Sequence, residues 1–289
     1  MSKFTNNRIY DTLFVQGRMP DKCLLCGTGE LEEKGHIIPK FVMRWLKKAS
    51  NKNEFFLNND PLLKVSDTPA LKIMCTACED KVSLFEKHFT DNYYKRYYRR
   101  KKVEQFTDEV YYFAVSVAWR LIVSTERLKS TAQDEFAQSY GGMEQRARAY
   151  LLDTSKKPEL DVYILSAEQI FKTVDAGRIK ENLLNYSVSH GLKAHSLYDS
   201  KHGFMMTPLP IPTVSFKIGA YYFFVVMSHY FEHAEFQVNC IRRSKLERLF
   251  EVNCTEDFLG FAKWIMNDRF YEVEVSMMSS EYYSKRNLM

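Results

Sequence analysis

Cys23-Leu24-Leu25-Cys26, His36-Ile37-Ile38-Pro39 and Cys75-Thr76-Ala77-Cys78 decide how the amino-terminal part of this chain is read. Each C-x-x-C pair presents two thiols a short turn apart, and two such pairs supply the four sulfurs of a tetrahedral zinc site. One pair alone would fit a redox motif or chance. Two pairs within the first 80 residues point to a structural zinc held by Cys23, Cys26, Cys75 and Cys78. Gly27 follows the first pair, where it lets the backbone turn tightly and aim amides at the sulfurs. After the second pair, Val82, Phe85 and Phe89 share one helical face with Cys78, so that pair is expected in the first turn of a helix.

Composition sets the outer bounds. With 289 residues, 45% apolar and 27% charged, the chain has the make-up of a globular protein with one large core or two smaller ones. It has no run of about 18 apolar residues, and its polar start lacks the apolar core of a signal peptide. These features lead to the expectation of a cytoplasmic protein without a membrane partner. Six cysteines, four of them in metal-type spacing, fit a reducing compartment better than a disulfide scaffold. Cys240 and Cys254 read as buried thiols.

The net charge of +5 conceals an asymmetry. Residues 1–105 carry 20 Lys and Arg against 13 Asp and Glu, a net +7, while the remaining 184 residues carry 21 against 23, a net −2. The excess peaks where Lys95, Arg96, Arg99, Arg100, Lys101 and Lys102 interleave with Tyr93, Tyr94, Tyr97 and Tyr98. Such a strip can neutralise phosphates while its rings stack on bases, the pairing expected of a nucleic-acid surface. The alternative is a solvated helix whose tyrosines pack inward. Adjacency to the cysteine module favours nucleic acid.

The periodicity predicts an α+β chain: an N-terminal zinc module over 1–105, then a mostly helical α+β domain with a β-hairpin over 106–289, suited to recognising a substrate or partner. A helix is expected over Pro39 to Lys48, with Phe41, Val42, Trp45 and Leu46 apolar, and a short strand over Leu71 to Met74. Residues 108–128 read as a strongly apolar helix that anchors the second core. Residues 132–152 read as another helix broken at Gly141-Gly142, and Val162 to Leu165 as a buried strand. Val214 to Lys217 and Ala220 to Met227 form a hairpin turned at Gly219, and Asp257 to Asn267 a final helix.

The order Cys23-x2-Cys26, His36-Ile37-Ile38-Pro39, Cys75-x2-Cys78-Glu79 resembles the zinc-bearing HNH, or ββα-metal, endonucleases over about residues 20–92. The resemblance implies a treble-clef zinc finger that holds a catalytic hairpin against a helix. It also implies that His36 is the general base activating water against a phosphodiester. Such attack needs a hard divalent cation, Mg²⁺ or Mn²⁺, to neutralise developing charge, and a histidine whose pKa lies near physiological pH. The cation would be held by Glu79, in the position after the last cysteine where relatives carry Asn or His, with Glu86 or Glu33. Relatives commonly place Asp or Glu immediately before the histidine, where this chain has Gly35. Glu79 and Glu86 are seven residues apart on nearly one helical azimuth, whereas His88 points to the opposite side.

His229-Tyr230-Phe231-Glu232-His233 fits H-x-x-E-H, a zinc-protease pattern when helical. It follows a β-rich aromatic run and has no evident third ligand, so surface histidines are the preferred reading. His190, His195 and His202 read as loop residues. Two function classes follow: a metal-dependent endonuclease, acting on DNA rather than RNA and suited by analogy to mobile-element or antiphage defence, or a non-catalytic zinc-finger protein that binds nucleic acid through a degenerate site. Pairing through 106–289, with a second copy or another protein, fits either.

Overall fold

Gly35–His36 (β1) pairs antiparallel with Ala70–Leu71 (β4), in the register Gly35 with Leu71 and His36 with Ala70. Between them the chain inserts the helix Lys40–Ala49 (α1) and a small antiparallel ladder of Phe55–Phe56 (β2) with Lys64–Val65 (β3). After β4 it enters Thr76–Phe89 (α2), which widens into a π turn at Thr90–Tyr94 and closes as Lys95–Tyr98 (α3). The expected strand over 71–74 is therefore shorter and shifted, and Ile73 and Met74 are buried beyond it. The computed structural model describes residues 20–31, 35–49, 55–56, 64–65, 70–103, 105–126, 135–156, 159–166, 213–228, 240–242 and 249–252. Glu33, His190, His195, His202, His229, Glu232, His233, Cys254 and the helix expected at 257–267 lie outside the described residues, as do the side chains of Trp45, Leu46 and Cys240.

Asp108–Glu126 (α4) is buried without interruption from Val110 to Val123, so it is a central helix and not an amphipathic surface one. Its serines satisfy their hydroxyls locally, Ser116 donating to the Phe113 carbonyl at 2.7 Å and Ser124 to that of Leu121 at 2.8 Å. On one side α4 takes α2: Phe89 stacks on Phe113 at 4.3 Å and Phe85 on Tyr112 at 3.8 Å. On another it meets the sheet. Leu160–Ser166 (β5), Thr213–Ile218 (β6), Tyr221–Met227 (β7), Cys240–Arg242 (β8) and Leu249–Val252 (β9) align in the order β6-β7-β5-β9-β8. β5 pairs antiparallel with β7 and parallel with β9. Every residue of β7 is buried, which its unbroken run of aromatic and β-branched residues permits. The boundary expected at residue 105 is crossed by one continuous buried cluster running from Cys23 through Phe89 and Phe113 to Phe223.

Two further expectations need correction. The tyrosines of the basic strip do not face solvent as a stacking platform: Tyr93 and Tyr94 are buried, and Tyr97 and Tyr98 are half-buried. Tyr93 stacks on Phe89 and Phe106 and donates its hydroxyl to the Gln105 carbonyl at 2.7 Å. Burial of two large rings and half-burial of two more outweighs any preference for display. Second, Glu135–Leu152 (α5) runs unbroken through Gly141-Gly142. Burial of Met143, Ala147, Tyr150 and Leu151 offsets the roughly 1 kcal/mol that each helical glycine costs.

A methyl group added at Gly141 would meet nothing within 4 Å. Gly141→Ala is therefore expected to raise unfolding stability by about 1 kcal/mol, read as a higher urea midpoint at unchanged slope; a lower midpoint would contradict this account of α5.

Candidate metal centre

The sulfurs of Cys23, Cys26, Cys75 and Cys78 all lie within 4.8 Å of one another. The Cys26 and Cys75 sulfurs are 3.8 Å apart, which matches the edge of about 3.8 Å that a tetrahedron with Zn–S bonds of about 2.3 Å requires. The four cysteines thus form a cluster able to hold a structural metal ion such as zinc, and the two sequence-distant pairs meet as their spacing predicted. The first pair sits on a tight turn. Gly27 has a φ of 81°, its amide donates to the Cys23 carbonyl at 2.8 Å, and the Gly29 amide donates to the Cys26 sulfur at 3.3 Å. The Cys26 amide in turn reaches the Cys23 sulfur at 3.5 Å. Leu24 donates to the Ile73 carbonyl at 2.8 Å, which ties this turn to the chain entering the second pair.

The second pair opens α2. Cys75 is the N-cap in extended geometry, without a capping bond from its side chain, and Cys78 lies buried in the first turn. The positive end of the helix dipole therefore lies at this pair, where it favours ionised sulfur. The amides of Gly29 and Thr28 pull the Cys26 thiol down to about 6, whereas burial pushes those of Cys23 and Cys78 up. Four thiols this close cannot all ionise without a shared cation, and a bound metal ion reverses that repulsion.

His36 is half-buried at the end of β1. Beside it lies the carboxylate of Glu79, from the first turn of α2. A Cβ on Gly35 would overlap Glu79 Oε1 and stand 2.8 Å from its Cδ. Glu79 Oε1 is buried and accepts no hydrogen bond. Burial raises the Glu79 carboxyl above its ordinary range, the Arg120 charge opposes that rise, Glu86 adds to it and His36 opposes it. Glu86 is held elsewhere: its Oε1 is 2.7 Å from Nη1 of Arg120, and that nitrogen also donates to the His36 carbonyl at 2.7 Å. Arg120 is buried on α4, with Nε donating to the Ser116 carbonyl at 3.2 Å. The arrangement brings His36, Glu79 and Glu86 together around a guanidinium. His88 faces away and is engaged by Asn92 and Thr107.

Arg120 is the residue that sequence reasoning missed. Its signal was a lone cation in an otherwise apolar helix, which has to find an acceptor. Arg148 and Lys81 act similarly. Arg148 Nε donates to the Leu25 carbonyl at 2.7 Å inside the first cysteine pair, and Lys81 Nζ donates to the Leu151 carbonyl at 2.7 Å at the end of α5. A four-thiolate zinc site carries two net negative charges, so a guanidinium at Leu25 is also favourable second-sphere electrostatics.

Of the basic strip, Lys95, Arg99, Arg100, Lys101 and Lys102 are exposed. Lys95 is paired with Asp91 at 2.6 Å, and Arg96 Nη1 donates to the Lys102 carbonyl at 3.4 Å. Arg100 holds a φ of 52° at the close of α3, where the Arg100 amide donates to Tyr97 and the Lys101 amide to Arg96, as in a helix-ending motif that glycine usually fills. A groove of about 490 Å³ separates α1 from α2 and the π turn, lined by Phe41, Arg44, Ser83, Glu86, Lys87 and Lys95 among others.

Gly35→Ala is expected to cost about 1–3 kcal/mol by displacing the Glu79 carboxylate, and to cost much less in a Glu79→Ala background. Thermal unfolding of the four variants of this cycle checks the coupling; equal costs in the two backgrounds would place Glu79 away from Gly35. Among the described residues, no helix is long and apolar enough to cross a membrane. No family model, curated protein or solved structure matches the chain.

Proposed function

We propose that this chain is a metal-dependent, HNH-like endonuclease that hydrolyses phosphodiester bonds, of DNA in preference to RNA, from a treble-clef module built on a structural zinc. The observation that carries the reading is the Glu79 carboxylate lying on Gly35, next to His36. In the endonucleases this chain resembles, an acidic residue precedes the histidine; here the glycine leaves the space and the helix supplies the acid. The cysteine cluster accounts for the juxtaposition, because an ion held there would fasten the first turn of α2 beside the β1–β4 ladder.

In this mechanism neutral His36 takes a proton from a water molecule as its oxygen attacks phosphorus, and the displaced sugar oxygen leaves with a proton from solvent. Arg120 fixes the backbone of His36 from below and keeps Glu86 turned toward itself. A Mg²⁺ or Mn²⁺ ion, when bound, would supply charge neutralisation at the scissile phosphate, and Glu79 is the carboxylate placed to hold it. The exposed cations of the strip would hold the flanking backbone.

One observation favours a second reading. Glu86 is ion-paired to Arg120 and Glu79 Oε1 is buried, so a divalent cation would compete with a guanidinium for one carboxylate and reach the other only in a desolvated setting. A non-catalytic zinc-finger protein that binds nucleic acid through a degenerate site would look the same.

Cleavage of supercoiled plasmid and of circular single strands with Mg²⁺ or Mn²⁺ separates the two. His36→Ala is expected to lower the rate by about 10²-fold or more while its circular dichroism stays that of the parent. Cutting by His36→Ala at the parental rate would overturn the mechanism. If neither protein cuts but both bind with a steep salt dependence, the second reading holds.

A further inference from the structure

We infer that the groove between α1 and α2 is a binding site for an unpaired strand of nucleic acid, which seats a splayed base on Phe41 between the cations Arg44 and Lys87. The inference rests on the reading of the chain as a nucleic-acid protein but not on its being a catalyst. The groove of about 490 Å³ is on the scale of a small-ligand cleft. A duplex keeps its bases paired and stacked, so it has no free base to offer a cleft of this size. A single strand can offer one, because its bases turn away from the backbone and find an apolar surface while the phosphates find cations.

The walls fit that occupant. Phe41 of α1 is half-buried, packing in T-shaped geometry with Tyr94 at 5.1 Å and tilted against Phe89 at 6.4 Å, and it lines the groove. Arg44 rises from the same helix one turn on and is exposed, and Lys87 is exposed on the opposite wall. Lys95 lies further along, drawn to Asp91. Glu86 closes one side, and its charge is met from beneath by the buried Arg120 that also holds the His36 carbonyl, so the groove abuts the site around His36.

The π turn keeps this wall straight. Ser83, Lys87, Asp91 and Lys95 are four apart, and each such step in an α-helix overshoots a full turn by about 40°. The Thr90–Tyr94 segment holds more residues per revolution, so the steps through it rotate back and keep Asp91 and Lys95 over the groove. The result is a wall on which Lys87 and Lys95 alternate with Ser83, Glu86 and Asp91, each acid being met by a cation, Arg120 or Lys95.

The test is fluorescence anisotropy with a short labelled oligothymidylate, its RNA counterpart and a hairpin duplex, over a range of salt. The parent is expected to bind either single strand at least about tenfold more tightly than the duplex. Arg44→Ala with Lys87→Ala should weaken single-strand binding and lower its salt slope by about 1.4, or about 0.7 for each phosphate that is no longer neutralised. Phe41→Leu, which keeps the core apolar, should weaken it about fivefold with little change in slope, as removal of one stacked base does. Arg99→Ala with Lys101→Ala should weaken strand and duplex alike. The inference is overturned if the Arg44 and Lys87 double variant, folded by circular dichroism, binds single strands with parental affinity and slope. It is equally overturned if the duplex binds as tightly as the strand, or if neither binds. A parent that binds strands through the groove but cuts nothing would sink the nuclease reading and leave this one standing; cleavage with groove-indifferent binding would do the reverse.

Discussion

Four sulfurs within 4.8 Å of one another are the constraint on which the module depends. Thiols at that distance lose the benefit of water and gain mutual repulsion as they ionise, so the arrangement asks for a cation at its centre. Because one pair lies on a loop before β1 and the other opens α2, a shared ion would fasten the β1–β4 ladder to the helix, which two-residue strands could not manage by hydrogen bonding alone. The placing of His36 beside Glu79 follows from that fastening.

A second set of contacts makes the module part of a larger body. Arg120, Arg148 and Lys81 each give hydrogen bonds to backbone carbonyls across the sequence boundary at 105, and aromatic stacking of Phe85 and Phe89 on α4 fills the space between them. Burial of the Arg120 guanidinium against the partly exposed Glu86 is costly in desolvation, and removal of Glu86 would leave that charge with uncharged acceptors alone. A pair retained at that cost directly beneath His36 ties the geometry of the β1–β4 ladder to the integrity of α4. The candidate site is therefore built by both halves of the chain.

Much of this was legible in the residues, for physical reasons that differ by element. The cysteine cluster could be read because C-x-x-C spacing encodes local sulfur geometry, and the partnership of two pairs needs no knowledge of the fold. The apolar run of α4 and the hairpin turned at Gly219 announced themselves by composition and punctuation. The strip at 93–102 was misread in part, since a sequence shows that tyrosines alternate with cations but not that a π turn and the rings of Phe89 and Phe106 draw Tyr93 and Tyr94 inward. Gly141-Gly142 looked like a break because local propensity ignores the packing of Met143 and Ala147 that overrides it. The partnership of Arg120 with Glu86 spans 34 positions and no local pattern carries it.

One ion, bound only by sulfur, would join the β1–β4 ladder to the helix. X-ray absorption at the zinc edge of the purified chain tests it most directly. The expected result is one zinc per molecule in a single shell of four sulfurs at about 2.3 Å. A shell containing nitrogen or oxygen, or a folded protein that carries no metal, would contradict it.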